Sequence, residues 1–134
     1  MTTGADIVGA LLRADPAVTA LVPEPSIKLG KLPDGVELPA LLVRVISSNE
    51  RQPLKRGEKT RTIDRVSVAV RAANYRDQTL AMRLVRKCCA GKTGAVAGGE
   101  SVSILTAGTG PDLNGPGNSF EQTQDFRVSF DATA

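Results

Sequence analysis

An α+β fold is predicted, with a mostly antiparallel sheet and helices packed on one face, in the order α-β-β-β-α-β-β. Three observations predict it. Two segments carry apolar residues at helical spacing, ALLRADPAVTALV near the start and YRDQTLAMRLVRKCC in the middle. Three others alternate apolar and polar residues with a period of two: ALLVRVISS, RVSVAVRA and FEQTQDFRVSF. The strand-like segments follow one another with turn-rich links, an order that suits antiparallel neighbours with helices on one side. The chain has 134 residues, which fits a single domain spanning all of it.

The first helix is expected from Ala5 to about Val22. Ile7, Val8, Leu11 and Leu12 share a face, and Val18, Leu21 and Val22 extend it. Asp15-Pro16 breaks it near Ala14: Asp15 is a good N-cap and Pro16 a good first helical residue, so a short second helix follows. Pro23 and Pro25 end it, Ile27 and Leu29 alternate about Lys28 in a short strand from Ser26 to Gly30, and a Pro/Gly-rich link follows from Lys31 to Pro39.

The strand from Ala40 to Ser48 puts Leu41, Val43 and Val45 on one face, with Leu42, Arg44 and Ile46 on the other. NERQPLKRGEKTR, from Asn49 to Arg61, is polar, highly charged and interrupted by Pro53 and Gly57, so it is expected as a long loop. From Thr62 to Ala72 a second strand turns Val66, Val68, Val70 and Ala72 inward; Ile63 is out of phase, which points to a bulge or a late strand start. Asn74 with Asp77 makes a capping-box-like start to a helix reaching about Ala90. Its expected inner face is Leu80, Leu84, Val85, Cys88 and Cys89, with Arg76, Arg83, Arg86 and Lys87 outside and Gly91 as the left-handed stop. A connector from Lys92 to Glu100, a strand from Val102 to Ala107 and a loop from Gly108 to Ser119 precede the last strand. In that strand, from Phe120 to Phe130, Gln122 and Gln124 share the parity of Phe126, Val128 and Phe130.

Composition narrows the chemistry. Without histidine the chain cannot build a Ser-His-Asp or Cys-His nucleophile or a His-containing zinc site. Aromatics are 3% of residues, too few for a single-strand stacking platform, and a net charge of +3 falls short of a nucleic-acid footprint. No apolar run approaches a membrane span and the N-terminus does not read as a signal peptide, so a soluble protein made in a reducing cytoplasm is expected. KCCAGKTG contains the last letters of a phosphate-binding loop. The pattern fails, because Arg86 stands where the first glycine belongs and the helix precedes Gly91 instead of following Thr93. Cys88 and Cys89 lack the gap of a redox or zinc pair, and adjacent helical residues diverge by about 100°. Both are read as packing residues, and whether one of them is exposed and oxidisable is left open by the sequence. The carboxylates form no local acid/base or metal pattern, so no catalytic residue, metal or cofactor is expected. Arg51, Lys55, Arg56, Lys59 and Arg61, in the charged loop with Glu50 and Glu58, are the candidate partner interface: either a solvated hairpin tip or a segment that orders on a partner.

Four stretches carry a resemblance: ALLRADPAVTALV, ELPALLVRVISS, RVSVAVRAANYRDQTLAMRLVRKCCAG and FEQTQDFRVSF. In their order and spacing the chain resembles the tail-completion, or tail-terminator, proteins of long-tailed bacteriophages, the head-tail joining proteins of the neck. It departs from them where Ala40, not an aromatic residue, follows Pro39. The resemblance implies a structural virion protein with no catalysis. Such proteins form a ring, usually of six copies, on the head-proximal end of the tail tube; they stop its polymerisation and face the head connector while DNA passes through the lumen. It also implies a virion location, with synthesis in the host cytoplasm and no membrane partner. A head-closure adaptor on the connector side is the alternative within virion assembly, and a small nucleotide-binding enzyme using Lys92 and Thr93 is the alternative from another class.

Overall fold

The structure is a computed structural model that describes residues 2–51, 57 and 59–133. In chain order the elements are α1 (Gly4–Ala14), α2 (Pro16–Leu21), β1 (Ile27–Leu29), β2 (Ala40–Arg51), β3 (Lys59–Ala72), α3 (Tyr75–Cys89), β4 (Thr93–Val96), β5 (Gly99–Thr109), β6 (Leu113–Asn114) and β7 (Phe120–Thr133). The α+β class is as the sequence predicts, but the order is richer than expected. β4 and β6 lie in segments read as a connector and a loop: β4 forms a hairpin with β5, and β6 is a two-residue pairing with β7. Small, turn-prone residues hide both, because hairpin strands this short carry no alternation to read.

The strands order as β1-β2-β3-β7-β5-β4, with β6 beside β7. β1 runs parallel to β2 and the other neighbours are antiparallel. β3 and β7 form the spine, paired without a slip from Lys59↔Thr133 to Ala72↔Phe120. Side-chain alternation then sends Val66, Val68, Val70, Phe126, Val128 and Phe130 to one face, all at most 1% exposed. The three helices pack against one another, and α1 and α3 pack against that face. Ile7, Val8 and Leu12 of α1, Val18 of α2 and Ala81, Met82 and Val85 of α3 complete the core.

Local sequence chemistry accounts for the helix limits. Thr3 and Asp6 form a reciprocal capping box at the start of α1. Asp15 ends α1 and caps α2, its carboxylate accepting from Ala17 N–H at 2.9 Å, with Pro16 as first residue. Asn74 accepts from Asp77 N–H at 2.8 Å to start α3. Gly91, with φ of +79°, takes the left-handed turn that stops it.

Three expectations need correction. The segment from Asn49 to Arg61 is not all loop: β2 continues to Arg51 and β3 already begins at Lys59, with Arg51 opposite Arg61. Charge masked the strand: Asn49, Glu50 and Arg51 are exposed, so polar residues suffice there. Ile63 marks neither a bulge nor a late start, since its pairing is regular on both sides; the irregularity is on β2 between Val45 and Ser47, and Val45 is 38% exposed instead of inward. The inner face of α3 is Gln78, Ala81, Met82, Val85, Cys88 and Cys89, while Leu80 is 38% exposed and Leu84 partly buried.

Candidate interaction surfaces

The face of the sheet opposite the helices is polar and cross-braced. β3 and β7 present Arg71 and Glu121, Arg65 and Asp125, and Arg61 and Asp131 there, and each pair forms a salt bridge. Two of these arginines reach further. Arg65 Nη2 donates to the Ala107 carbonyl at 3.0 Å, and Arg61 Nη1 to the Ser101 carbonyl at 2.9 Å, so each ties β3 to β5 across the intervening β7. Register explains the Arg65–Asp125 pair: Arg65 lies directly opposite Arg127, a like charge, and turns diagonally to the carboxylate instead.

No described helix covers this face. Its edge is open as well: β1 pairs with β2 only from Leu41 to Val43, and every residue of 44–51 is exposed. Ile46 on β2 and Leu105 on β5 are 56% and 59% exposed. An uncovered face with a long unpaired edge is a surface that a neighbouring chain can cover.

The five candidate interface residues fare differently. Arg51 is exposed at the end of β2. Arg61 is brought opposite it but is already engaged with Asp131 and Ser101. Lys55 and Arg56 lie outside the described residues, and Lys59 is described only by its backbone, as the first residue of β3. The residues that reading by charge missed are those holding the loop after β5. Gln78, fully buried, donates to Asp112 Oδ1 at 2.8 Å and Gln122 Oε1 at 3.1 Å. Gln122 and Gln124 donate to the carbonyls of Gly110 and Gly108 at 2.9 and 3.0 Å. The signal was present for two of them, since Gln122 and Gln124 share the inward parity of Phe126.

At KCCAGKTG the backbone amides are spent. Gly91 N–H donates to the Ile104 carbonyl at 2.9 Å, Lys92 N–H to the Cys89 carbonyl at 3.3 Å, and Thr93 opens β4. Both cysteines are buried, at 3% and 0% exposure, which answers the question of exposure that the sequence leaves open. α3 packs against the sheet and against α1 and α2, and both cysteines belong to the shared core. Cys88 Sγ donates to the Leu11 carbonyl at 3.3 Å. The hydrogen bond with Cys88, and then burial, push the Cys89 thiol well above its ordinary pKa. Among the described residues no group of three or more His, Cys, Asp or Glu side chains could hold a metal, and no helix is long and apolar enough to cross a membrane.

Comparison with known proteins agrees with the resemblance. Residues 7–130 match the family described as Tail completion protein gp17. No curated protein matches the sequence. Among solved structures, a chain described as "Virion of native gene transfer agent (GTA) particle" superposes with a TM-score of 0.69 at 14% identity, covering 96% of this chain and 95% of that one. At that identity the likeness is one of fold.

Proposed function

This chain belongs to the Tail completion protein gp17 family, a structural, tail-associated component of phage-type virions, and from that premise we propose that it ends the tail tube. Copies close into a ring, hexameric as the resemblance implies, on the head-proximal end of the tube. One face of the ring docks on the last tube subunits and stops further addition. The other meets the head connector, and the lumen is left for the genome. The work is done by surfaces, without catalysis or cofactor.

The observation that carries this reading is the uncovered sheet face with its open β2 edge over residues 44–51. No described strand pairs with that edge in one chain, whereas a head-to-tail neighbour covers it, and a head-to-tail contact that closes by rotation makes a ring. β2 ends at Arg51 and β3 begins at Lys59, with Lys55 and Arg56 between them in the sequence. We assign this stretch to contact with a neighbour or with the tube. Arg61 braces it from β3 through Asp131.

Negative-stain microscopy and native mass spectrometry of the purified protein, alone and with tail tubes, test the proposal. Rings of one stoichiometry, or rings on tube ends only, are the expected result. Persistent monomer that leaves tubes uncapped would refute it, and attachment to the connector without attachment to tubes would place the chain on the head side.

A further inference from the structure

A cleft of about 600 Å³ opens between the outer side of α3 and the far end of β5. Arg83, Arg86 and Lys87 line it from the helix, Thr106 and Thr109 from the strand, and Met82 contributes apolar surface. The three cations are exposed and form no salt bridge with any described residue, unlike the sheet's Arg61, Arg65 and Arg71, each of which has its own carboxylate. They sit at mutual spacings of three, four and one along a helix, where like charges repel. The helix dipole offsets this for Arg86 and Lys87 in the last turn but does not reach Arg83. The one carboxylate on the wall, Asp112, is held by the Tyr75 hydroxyl at 3.3 Å and by Gln78 Nε2 at 2.8 Å. The cleft therefore sets three cations against one carboxylate and carries a net positive charge.

Its strand side is also unfilled. β4 pairs with β5 only between Gly99 and Ser103, so no described strand flanks Thr106 and Thr109 on the side away from β7. An extended backbone can lie there with alternate side chains directed toward the arginines. We propose that the cleft binds an extended, carboxylate-bearing segment of a partner protein, which pairs with Arg83, Arg86 and Lys87 while its backbone runs beside the end of β5. One feature favours a peptide over nucleic acid: Tyr75, the aromatic residue at the cleft, already packs edge-on against Phe120 with centroids 6.3 Å apart. The inference does not rest on ring formation, because each copy contains the whole cleft.

The test uses the full chain and three fluorescein-labelled probes: a short peptide of alternating valine and glutamate, its valine–glutamine counterpart, and a short DNA duplex. Fluorescence anisotropy at low salt should show the acidic peptide binding, the neutral one at least about tenfold weaker, and the affinity falling as salt is raised. Reversal of both Arg83→Glu and Arg86→Glu should cost at least about tenfold for the acidic peptide, with the far-ultraviolet circular dichroism unchanged. Should the reversal lower the folded yield, Arg83→Gln with Arg86→Gln should still weaken the acidic peptide about threefold or more. Equal binding of the two peptides, no binding of the acidic one, or full affinity in a folded double variant would overturn the proposal. Tighter binding of the duplex through the same residues would overturn it in favour of a nucleic-acid site.

Discussion

The Asp64 carboxylate accepts a hydrogen bond from Gly4 N–H at 2.7 Å and so binds the first turn of α1 to the middle of β3. Asp64 is 3% exposed, and the helix start supplies the partial positive charge that a buried carboxylate requires. The approach leaves no room for a side chain. A Cβ on Gly4 would stand 2.8 Å from both Asp64 Cβ and Val66 Cγ2, atoms fixed by the sheet. We therefore expect Gly4→Ala to destabilise the fold by about 1–3 kcal/mol through overpacking. Asp64→Ala should cost about 1.5–3 kcal/mol, since it removes a charged acceptor and orphans a buried N–H. Urea unfolding of both variants measures this, and a wild-type midpoint for Gly4→Ala would refute the packing argument.

Gly9 makes the opposite prediction from the same helix. Its added Cβ would meet the Leu29 Cδ2 atom at 3.0 Å, and Leu29 is 37% exposed at the end of a flexible side chain. That tip can swing aside, while alanine gains up to about 1 kcal/mol of helix propensity over glycine. Gly9→Ala should be neutral or stabilising in the same urea experiment. A loss as large as that of Gly4→Ala would show that Leu29 is held more tightly than its exposure implies.

These two glycines also mark the limit of what the sequence discloses. Periodicity predicts both helical stretches, the break at Asp15, the inward set of β3 and the parity of Gln122 and Gln124, because each depends on near neighbours in the chain. Asp64 is one carboxylate among many until the fold sets it against Gly4, a residue 60 positions away. The α3 inner face differs from its hydrophobic pattern for a related reason. Hydrophobicity chose Leu80 over Gln78, yet Gln78 is buried because Asp112 and Gln122 satisfy its amide hydrogens. Charge is densest along the chain from Arg51 to Arg61, which makes that stretch the candidate interface. The fold shows that Arg61, in that stretch, is neutralised by Asp131, and that free positive charge collects on α3, where helical spacing had assigned it only to the outside.

Burial and the raised Cys89 pKa give the cysteine pair a defined reactivity. A thiol held protonated inside a core is a poor nucleophile. In the native protein at mildly alkaline pH, neither Cys88 nor Cys89 should react with Ellman's reagent beyond the rate at which α3 opens. Both should react at once in strong denaturant. Stoichiometric labelling of one thiol in the native state would show that the last turn of α3 is uncovered.

Asp15 should carry a measurable part of the acid sensitivity. Burial raises its pKa, but the Ala17 N–H bond, the Cys88 thiol, the Val18 N–H bond and the charge of Lys92 together outweigh burial, and the net shift is downward from 3.8. A carboxylate that is easier to ionise in the folded state than in the unfolded one stabilises the fold above its unfolded pKa. That contribution is lost as pH falls through the lower folded value. The group is half-buried at the surface and screened by solvent, so the effect is small, about 0.3–0.5 kcal/mol. Asp15→Asn keeps a competent N-cap and removes only the charge. Urea unfolding across a pH series should show the variant less stable than wild type near neutrality, with the two curves converging as the pH drops below 3.8. A gap that stays constant down to strong acid would mean that the Asp15 charge contributes nothing and that its capping geometry alone holds α2 in place.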